Sequence, residues 1–265
     1  MSDEAPLASL SLTHVHYVWQ LPPTKSHRFC FSALGSQTNQ SPFAIALQDP
    51  SDPISYLCAW LALVPQGLCV VYATLVWSTR EAEVALMFAG QLLCEALNFA
   101  LKRLIKEERP RRMNGKGYGM PSSHAQFVAY FAVSLALFLV VRHRPAAPGR
   151  RRNHTPMGLP ERILWSVCGL AMAAAVAWSR IYLNYHTEKQ VLVGSGAGAA
   201  SAIVWFVLTS ILRQSGWLAW ALDLPPARFL RARDLVVEED LCQAGWEKWD
   251  DKMTALKAKK TLKNR

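Results

Sequence analysis

The chain has 265 residues, 51% hydrophobic and 18% charged, and its 29 Lys and Arg against 19 Asp and Glu leave a formal net charge of +10. That length suits one domain of ordinary size. The positive balance suits nucleic acid, anionic lipid headgroups or phosphorylated substrates, but the apolar residues are gathered into long runs and no groove-reading module is visible, which disfavours nucleic acid.

Residues 1–53 are mixed and turn-rich, with Pro22-Pro23 and Asp49-Pro50-Ser51-Asp52-Pro53, and carry no clear fold signal. The opening Met1-Ser2-Asp3-Glu4 lacks an apolar h-region, so membrane entry is expected to rely on the first internal span. That span is the apolar run at about 55–77, interrupted by Pro65 and Gly67 and bounded by Arg80. Further runs follow at about 83–101 (with Glu95 and Asn98 inside it), 125–141, 163–178 and 191–212. Each approaches the roughly 20 residues a bilayer crossing needs. Gly194, Gly196 and Gly198 open the last run and suit close helix packing in lipid. The expectation is an all-α, multi-span membrane helix bundle of about five spans. It comprises an N-terminal region 1–53, a membrane domain 54–213 and a basic interfacial tail 214–265.

Five spans place segments 102–124 and 179–190 on one side, with the 142–162 loop and the tail on the other. Arg142, Arg144, Arg150, Arg151, Arg152 and Arg162 in the loop, with Arg213, Arg228, Arg231 and Arg233 in the tail, suit a cytoplasmic second side, but the 102–124 loop is just as basic, so charge alone leaves the orientation open. Trp217 and Trp220 suit interfacial anchors, and 238–265 reads as a polar helix with a Lys-rich end. Of the six cysteines, Cys58, Cys69, Cys94 and Cys168 lie in apolar runs, where Cys behaves as a small hydrophobe; no Cys or His spacing suggests a metal site.

Three segments put polar residues at the ends of apolar runs. In the first, Lys102 and Arg109 stand two helical turns apart on one face, which Glu95 and Asn98 continue backwards. Such a stripe is costly in a membrane unless it lines a site; a basic cluster touching lipid headgroups is the other reading. In the second, Tyr118-Gly119-Met120-Pro121-Ser122-Ser123-His124, Pro121 and the serines suit a helix start. The amides of that first turn form an anion site, and His124 sits where it could protonate a leaving oxygen. An ordinary cap beside an interfacial His reads equally well. In the third, Ser179-Arg180-Ile181-Tyr182-Leu183-Asn184-Tyr185-His186, Arg180 offers a phosphate fork, and His186 could be nucleophile, base or structural residue. Taken together they gather two His and three strong cations on one membrane face, the inventory phosphoryl transfer needs.

Lys-x6-Arg-Pro, Pro-Ser-x-His and Ser-Arg-x-Tyr-x3-His resemble the three-part signature of the type 2 phosphatidic acid phosphatase superfamily, over about residues 82–212. The resemblance implies a helical membrane phosphatase without metal or other cofactor. Lys102, Arg109 and Arg180 would bind phosphate with Ser122 and Ser123, His124 would be the acid/base and His186 the nucleophile, with Glu95, Asn98, Pro121, Tyr182 and Gln190 in support. Two positions depart from the common pattern: Ser123 stands for Gly, and Gln190 for an Asp that would orient and charge-balance His186. Gln can accept the same hydrogen bond but carries no charge, and Glu188 is at the wrong helical offset to replace it.

Pro-Ser-Ser-His and His-x3-Gln both resemble the dolichyldiphosphatase branch. So do Tyr118–Phe127, the Glu95, Asn98 and Lys102 stripe, and Leu12–Tyr17. Residues about 18–48 then look inserted. That branch implies an endoplasmic reticulum membrane enzyme with a lumenal site, which hydrolyses dolichyl pyrophosphate to dolichyl phosphate and so recycles the carrier for N-glycosylation. Its expected partner is a polyisoprenoid pyrophosphate lipid, not nucleic acid. Another lipid phosphate as substrate, or an inactive membrane scaffold, are the alternatives.

Overall fold

A computed structural model describes residues 53–110, 118–145 and 157–263. The motif at Leu12–Tyr17, the segment 18–48 and Arg150, Arg151 and Arg152 lie outside the described residues.

The expected all-helical architecture is what forms. The chain runs α1 (Pro53–Leu61), α2 (Val64–Thr79), α3 (Ala82–Ile105), α4 (Ser123–Leu137, continued by a π-helical turn Phe138–Arg142) and α5 (Leu159–Tyr182). It continues as α6 (Glu188–Gln214), α7 (Trp217–Asp223), α8 (Pro225–Phe229) and α9 (Leu241–Lys263). Among the described residues, five helical units are long and apolar enough to cross a bilayer, α1 and α2 forming one of them across the turn at 62–63. Pro65 explains that break. It lacks an N–H to donate to a preceding turn, so it is accommodated only in the first turn of a helix, where it sits in α2. The outward faces carry Val70, Trp77, Leu92, Leu93, Leu192 and Val204 exposed, which water would penalise and lipid would not.

α4 is the central helix and touches α3, α5 and α6. Phe127, Val128 and Ala132 pack there against Ala173 and Val176 of α5. The approach of α6 to α4 depends on glycine. A Cβ at Gly198 would lie 2.2 Å from the Gln126 carbonyl oxygen, and one at Gly194 would lie 2.7 Å from that of Ser122. Of the three glycines in that run, Gly196 faces open space and plays no such part.

The end of the bundle that carries the tail is closed by buried charge. Glu83 (2% exposed) accepts from Arg142 Nη1 at 2.7 Å and from Arg213 Nη2 at 2.5 Å. Arg142 Nη2 also donates to the Phe206 carbonyl (2.9 Å), Thr209 Oγ1 (2.9 Å) and Ser210 Oγ (2.7 Å), and Arg213 pairs with Asp234. Beside them Glu81 is fully buried and accepts from Arg233 Nε (2.8 Å) and the backbone N–H groups of Leu235 (2.8 Å) and Val236 (3.0 Å). The start of the tail is thereby docked under the spans. Beyond it α9 forms within the polar segment expected to be helical, and Trp217 and Trp220 are exposed on α7 at 5.5 Å between ring centroids.

Candidate active site

At the opposite end of the bundle four helix ends converge: the last turns of α3 and α5 and the first turns of α4 and α6. Each spanning helix runs a few residues past its apolar run, and those polar end turns carry the side chains picked out from sequence.

Lys102 lies buried in the last turn of α3, and its Nζ donates to Ser123 Oγ at 3.4 Å. Glu95 stands within electrostatic reach of that ammonium on the same helix. Asn98 is fully buried and points toward α4 instead; its Nδ2 donates to Gln126 Oε1 (2.7 Å), whose Nε2 donates to the Cys94 carbonyl (2.9 Å). This bridge between α3 and α4 explains how the polar stripe is tolerated at bilayer depth.

α3 ends in a left-handed residue, Lys106 (φ 53°). The chain then turns back, and the Glu107 carbonyl accepts the Gly119 N–H at 2.7 Å. Arg109 follows, its Nε buried with no hydrogen-bond partner. Ser122 caps α4 and Ser123 is its first helical residue, so Pro121 precedes the cap rather than opening the helix. The Ser122 side chain makes no capping bond; its Oγ is buried and unpartnered, while its N–H donates to the Gln190 carbonyl at 3.1 Å. The first bond along the helix runs from the Gln126 N–H to the Ser122 carbonyl (3.0 Å), so the amides before it precede the regular ladder.

Two groups are held by span 1. His124 Nε2 lies 3.2 Å from the Ala62 carbonyl, in the break between α1 and α2, and a carbonyl can only accept, so Nε2 carries the proton. Arg180 is buried; its Nη2 donates to the Cys58 carbonyl (3.1 Å) and to Ser179 Oγ (3.1 Å). After α5 the chain makes a tight turn in which the N–H groups of Tyr185 and His186 both donate to the Arg180 carbonyl (3.0 and 3.3 Å). Tyr182 packs on Trp178 along α5, with 5.0 Å between ring centroids. It is Tyr185 whose ring stands 5.3 Å from the Arg180 guanidinium and whose hydroxyl interacts with both Arg180 and Arg109.

His186 is buried just before Thr187, the N-cap of α6. Thr187 Oγ1 accepts the Gln190 N–H and Gln190 Oε1 accepts the Thr187 N–H, each at 3.3 Å, a reciprocal capping box. The same Oε1 lies 3.2 Å from His186 Nδ1. Burial pushes the His186 imidazole down to about 4; the charges of Arg109, Lys102 and Arg180 act in the same direction and the bond to Gln190 opposes them. A neutral imidazole thus stands within electrostatic reach of three cations. Among the described residues, no group of three or more His, Cys, Asp or Glu stands close enough to hold a metal ion.

Sequence reasoning did not single out Cys58 and Ala62, because they act through backbone carbonyls. Nor did it single out Gln126, Tyr185, Glu107 or Gly119. Gly119 carried a signal, a glycine between Tyr118 and Met120 in a polar motif. A Cβ there would lie 2.8 Å from Gln190 Nε2, 2.9 Å from its Oε1 and 3.0 Å from Arg109 Cγ. Gly119→Ala is therefore expected to lower kcat by about 100-fold, the scale of a 1 Å misplacement at a catalytic site. Steady-state phosphate release checks this, and a wild-type rate would show that the Gln190 side chain has room to yield.

The PAP2 superfamily matches residues 83–213, which contain all three motifs. A Neurospora crassa protein described as a candidate dolichyldiphosphatase is 51% identical, covering 96% of this chain and 96% of that protein. The Saccharomyces cerevisiae protein named dolichyldiphosphatase is 29% identical over 77% of this chain and 84% of its own. The human protein named dolichyldiphosphatase 1 is 38% identical over 60% of this chain and 66% of its own. No solved structure matches.

Proposed function

This chain belongs to the PAP2 superfamily, in its dolichyldiphosphatase branch, and on that premise we propose that it hydrolyses dolichyl pyrophosphate to dolichyl phosphate and inorganic phosphate through a phosphohistidine at His186. The observation that carries the reading is the pairing of a buried, neutral His186 with Lys102, Arg109 and Arg180. Two buried polar atoms without partners, Ser122 Oγ and Arg109 Nε, add to it. Unpartnered donors are costly in a dry site and are satisfied by phosphate oxygens.

The bond from Nδ1 to Gln190 leaves Nε2 of His186 with its lone pair directed at phosphorus. Nε2 attacks the terminal phosphorus, and the bond from that phosphorus to the bridging oxygen breaks. The three cations hold the non-bridging oxygens as charge spreads over them. His124 enters this step as the imidazolium, with Nε2–H on the Ala62 carbonyl: its Nδ1–H protonates the departing dolichyl phosphate, and the neutral ring then takes a proton at Nδ1 from the water that cleaves the phosphohistidine. Inorganic phosphate leaves and both imidazoles regain their starting states.

The site end lies opposite the end carrying Arg142, Arg213 and Arg233. By the positive-inside tendency the basic end is cytoplasmic and the site faces the lumen of the endoplasmic reticulum. There it meets the pyrophosphate left when a lipid-linked oligosaccharide is transferred to protein.

The test is phosphate release by the purified protein in detergent with a chelator, comparing dolichyl pyrophosphate with dolichyl phosphate and phosphatidate. The expected result is a clear preference in kcat/KM for the pyrophosphate. Activity confined to phosphatidate would keep the chemistry and overturn the substrate.

A further inference from the structure

We propose that Glu107 is a positioning residue that supplies, through Gln190, the negative charge His186 needs as it becomes a cation. This rests on the reading of His186 as nucleophile.

The orientation of the Gln190 amide follows from its neighbours. Its Nε2 meets two acceptors, Glu107 Oε1 at 3.1 Å and the Glu108 carbonyl at 2.9 Å. Its Oε1 takes the Thr187 N–H at 3.3 Å. Turning the amide over would set oxygen against two oxygens and NH2 against an N–H, losing all three bonds. The oxygen therefore faces His186, and Nδ1 must donate to it. The result is a directed chain, from His186 Nδ1–H to Gln190 Oε1 and from Gln190 Nε2–H to the Glu107 carboxylate.

Attack by Nε2 leaves the imidazole positively charged. Gln190 can orient the ring but has no charge to answer that development. Glu107 has one, a single hydrogen bond further out and with 32% of its side chain exposed, and the hydrogen bonds that link it to the buried ring polarise one another. Hydrogen bonds from Gln190 and then Lys189 hold the Glu107 carboxyl below its usual range, so it is ionised when the enzyme works. Lys189 binds the other oxygen at 3.2 Å, but its side chain is 71% exposed and its charge is screened. The Glu107 backbone is pinned through the Gly119 N–H, and Gly119 has no room for a Cβ against Gln190. Carboxylate, amide and imidazole are thus linked across two segments, Glu107 after α3 and His186–Gln190 at the start of α6.

The charge matters only as the imidazole becomes cationic, so its loss should fall on kcat and spare KM. Glu107→Gln is the sharp variant, because its Oε1 can still accept from Gln190 Nε2. The expected loss in kcat is about 10–100-fold, the scale seen when the outer partner of a functional His is removed. Gln190→Asp moves the charge next to the ring. If Glu107 acts by charge, Glu107→Gln made in that background should cost about twofold or less in kcat, a coupling that a double-mutant cycle reads directly.

The experiment is this cycle on the full chain, with His186→Ala as reference. Activity retained in His186→Ala would overturn the nucleophile and the proposal built on it. With His186 essential, three results overturn the role of Glu107 alone. They are a wild-type kcat for Glu107→Gln, a loss confined to KM, and an equal loss in both backgrounds, which would mean packing. If Gln190→Asp fails to fold, Glu107→Asp decides instead: it keeps the charge and shortens the reach. It must outperform Glu107→Gln, and the reverse order overturns the proposal.

Discussion

His186→Ala is expected to abolish phosphate release, by on the order of a thousandfold or more, while leaving the protein folded. Removal of a covalent nucleophile takes away a whole reaction step, and the cations that remain can only bind the substrate. Substrate should still bind, because Lys102, Arg109 and Arg180 are not anchored by the imidazole. Lys102 rests on Ser123, and Arg180 on Cys58 and Ser179. Equilibrium binding of the lipid to the variant checks that half, and rapid-quench detection of an acid-labile phosphoenzyme in wild type checks the other. The pH profile carries the same assignment. An imidazole that ordinarily titrates near 6.5 is pushed down to about 4 here. Protonation removes the lone pair, so activity should be present above that value and lost as pH falls through it. Once ionisation of the pyrophosphate is allowed for, the His186 limb in kcat/KM belongs near pH 4. A limb near 6.5 would mean the ring is solvated in the working enzyme.

Glu83→Ala is expected to be the most destabilising single change at the other end. It strips the carboxylate from two arginines, one of them, Arg142, with only 7% of its side chain exposed. Breaking a buried pair by removing one partner costs about 3–5 kcal/mol, because the remaining charge stays desolvated. Arg213 keeps Asp234, whereas Arg142 is left with neutral acceptors only. A fall in apparent Tm on the order of 10 °C follows for a chain of this size, read by thermal unfolding in detergent. Because the site lies at the far end of the spans, kcat and KM of the folded fraction should stay close to wild type. Glu83→Leu combined with Arg142→Leu should recover much of the loss. A double variant no better than Glu83→Ala would point to the hydrogen bonds of Arg142 rather than its charge.

What could be read from sequence divides along physical lines. The five spans were legible because bilayer solvation demands long apolar runs, and nothing else in the chain imitates them. Their ends were not, since Lys102, Ser123, Arg180 and Gln190 are helical but polar and fall outside a hydropathy run. The three motifs were legible because phosphate chemistry draws on few side-chain types. Groups that act through backbone carbonyls, such as Ala62 beneath His124, leave no trace in residue identity. Asn98 shows a subtler limit. Its place on the polar stripe is evident from helical period, yet only the structure shows it bonded to Gln126. Glu107 carries no signal in its own identity, because the Gln190 amide it meets lies 83 positions further along the chain.

The homologous core begins at residue 83, yet two of its working groups are tethered to residues upstream of it, at positions 58 and 62. If His124 and Arg180 act as proposed, the smallest active piece is larger than the family module. A chimera that joins 83–213 to another first helix would carry every signature residue and would still depend on that helix presenting backbone carbonyls where Arg180 and His124 reach for them. Divergence in that first helix is a route by which relatives with identical motifs can come to differ in rate.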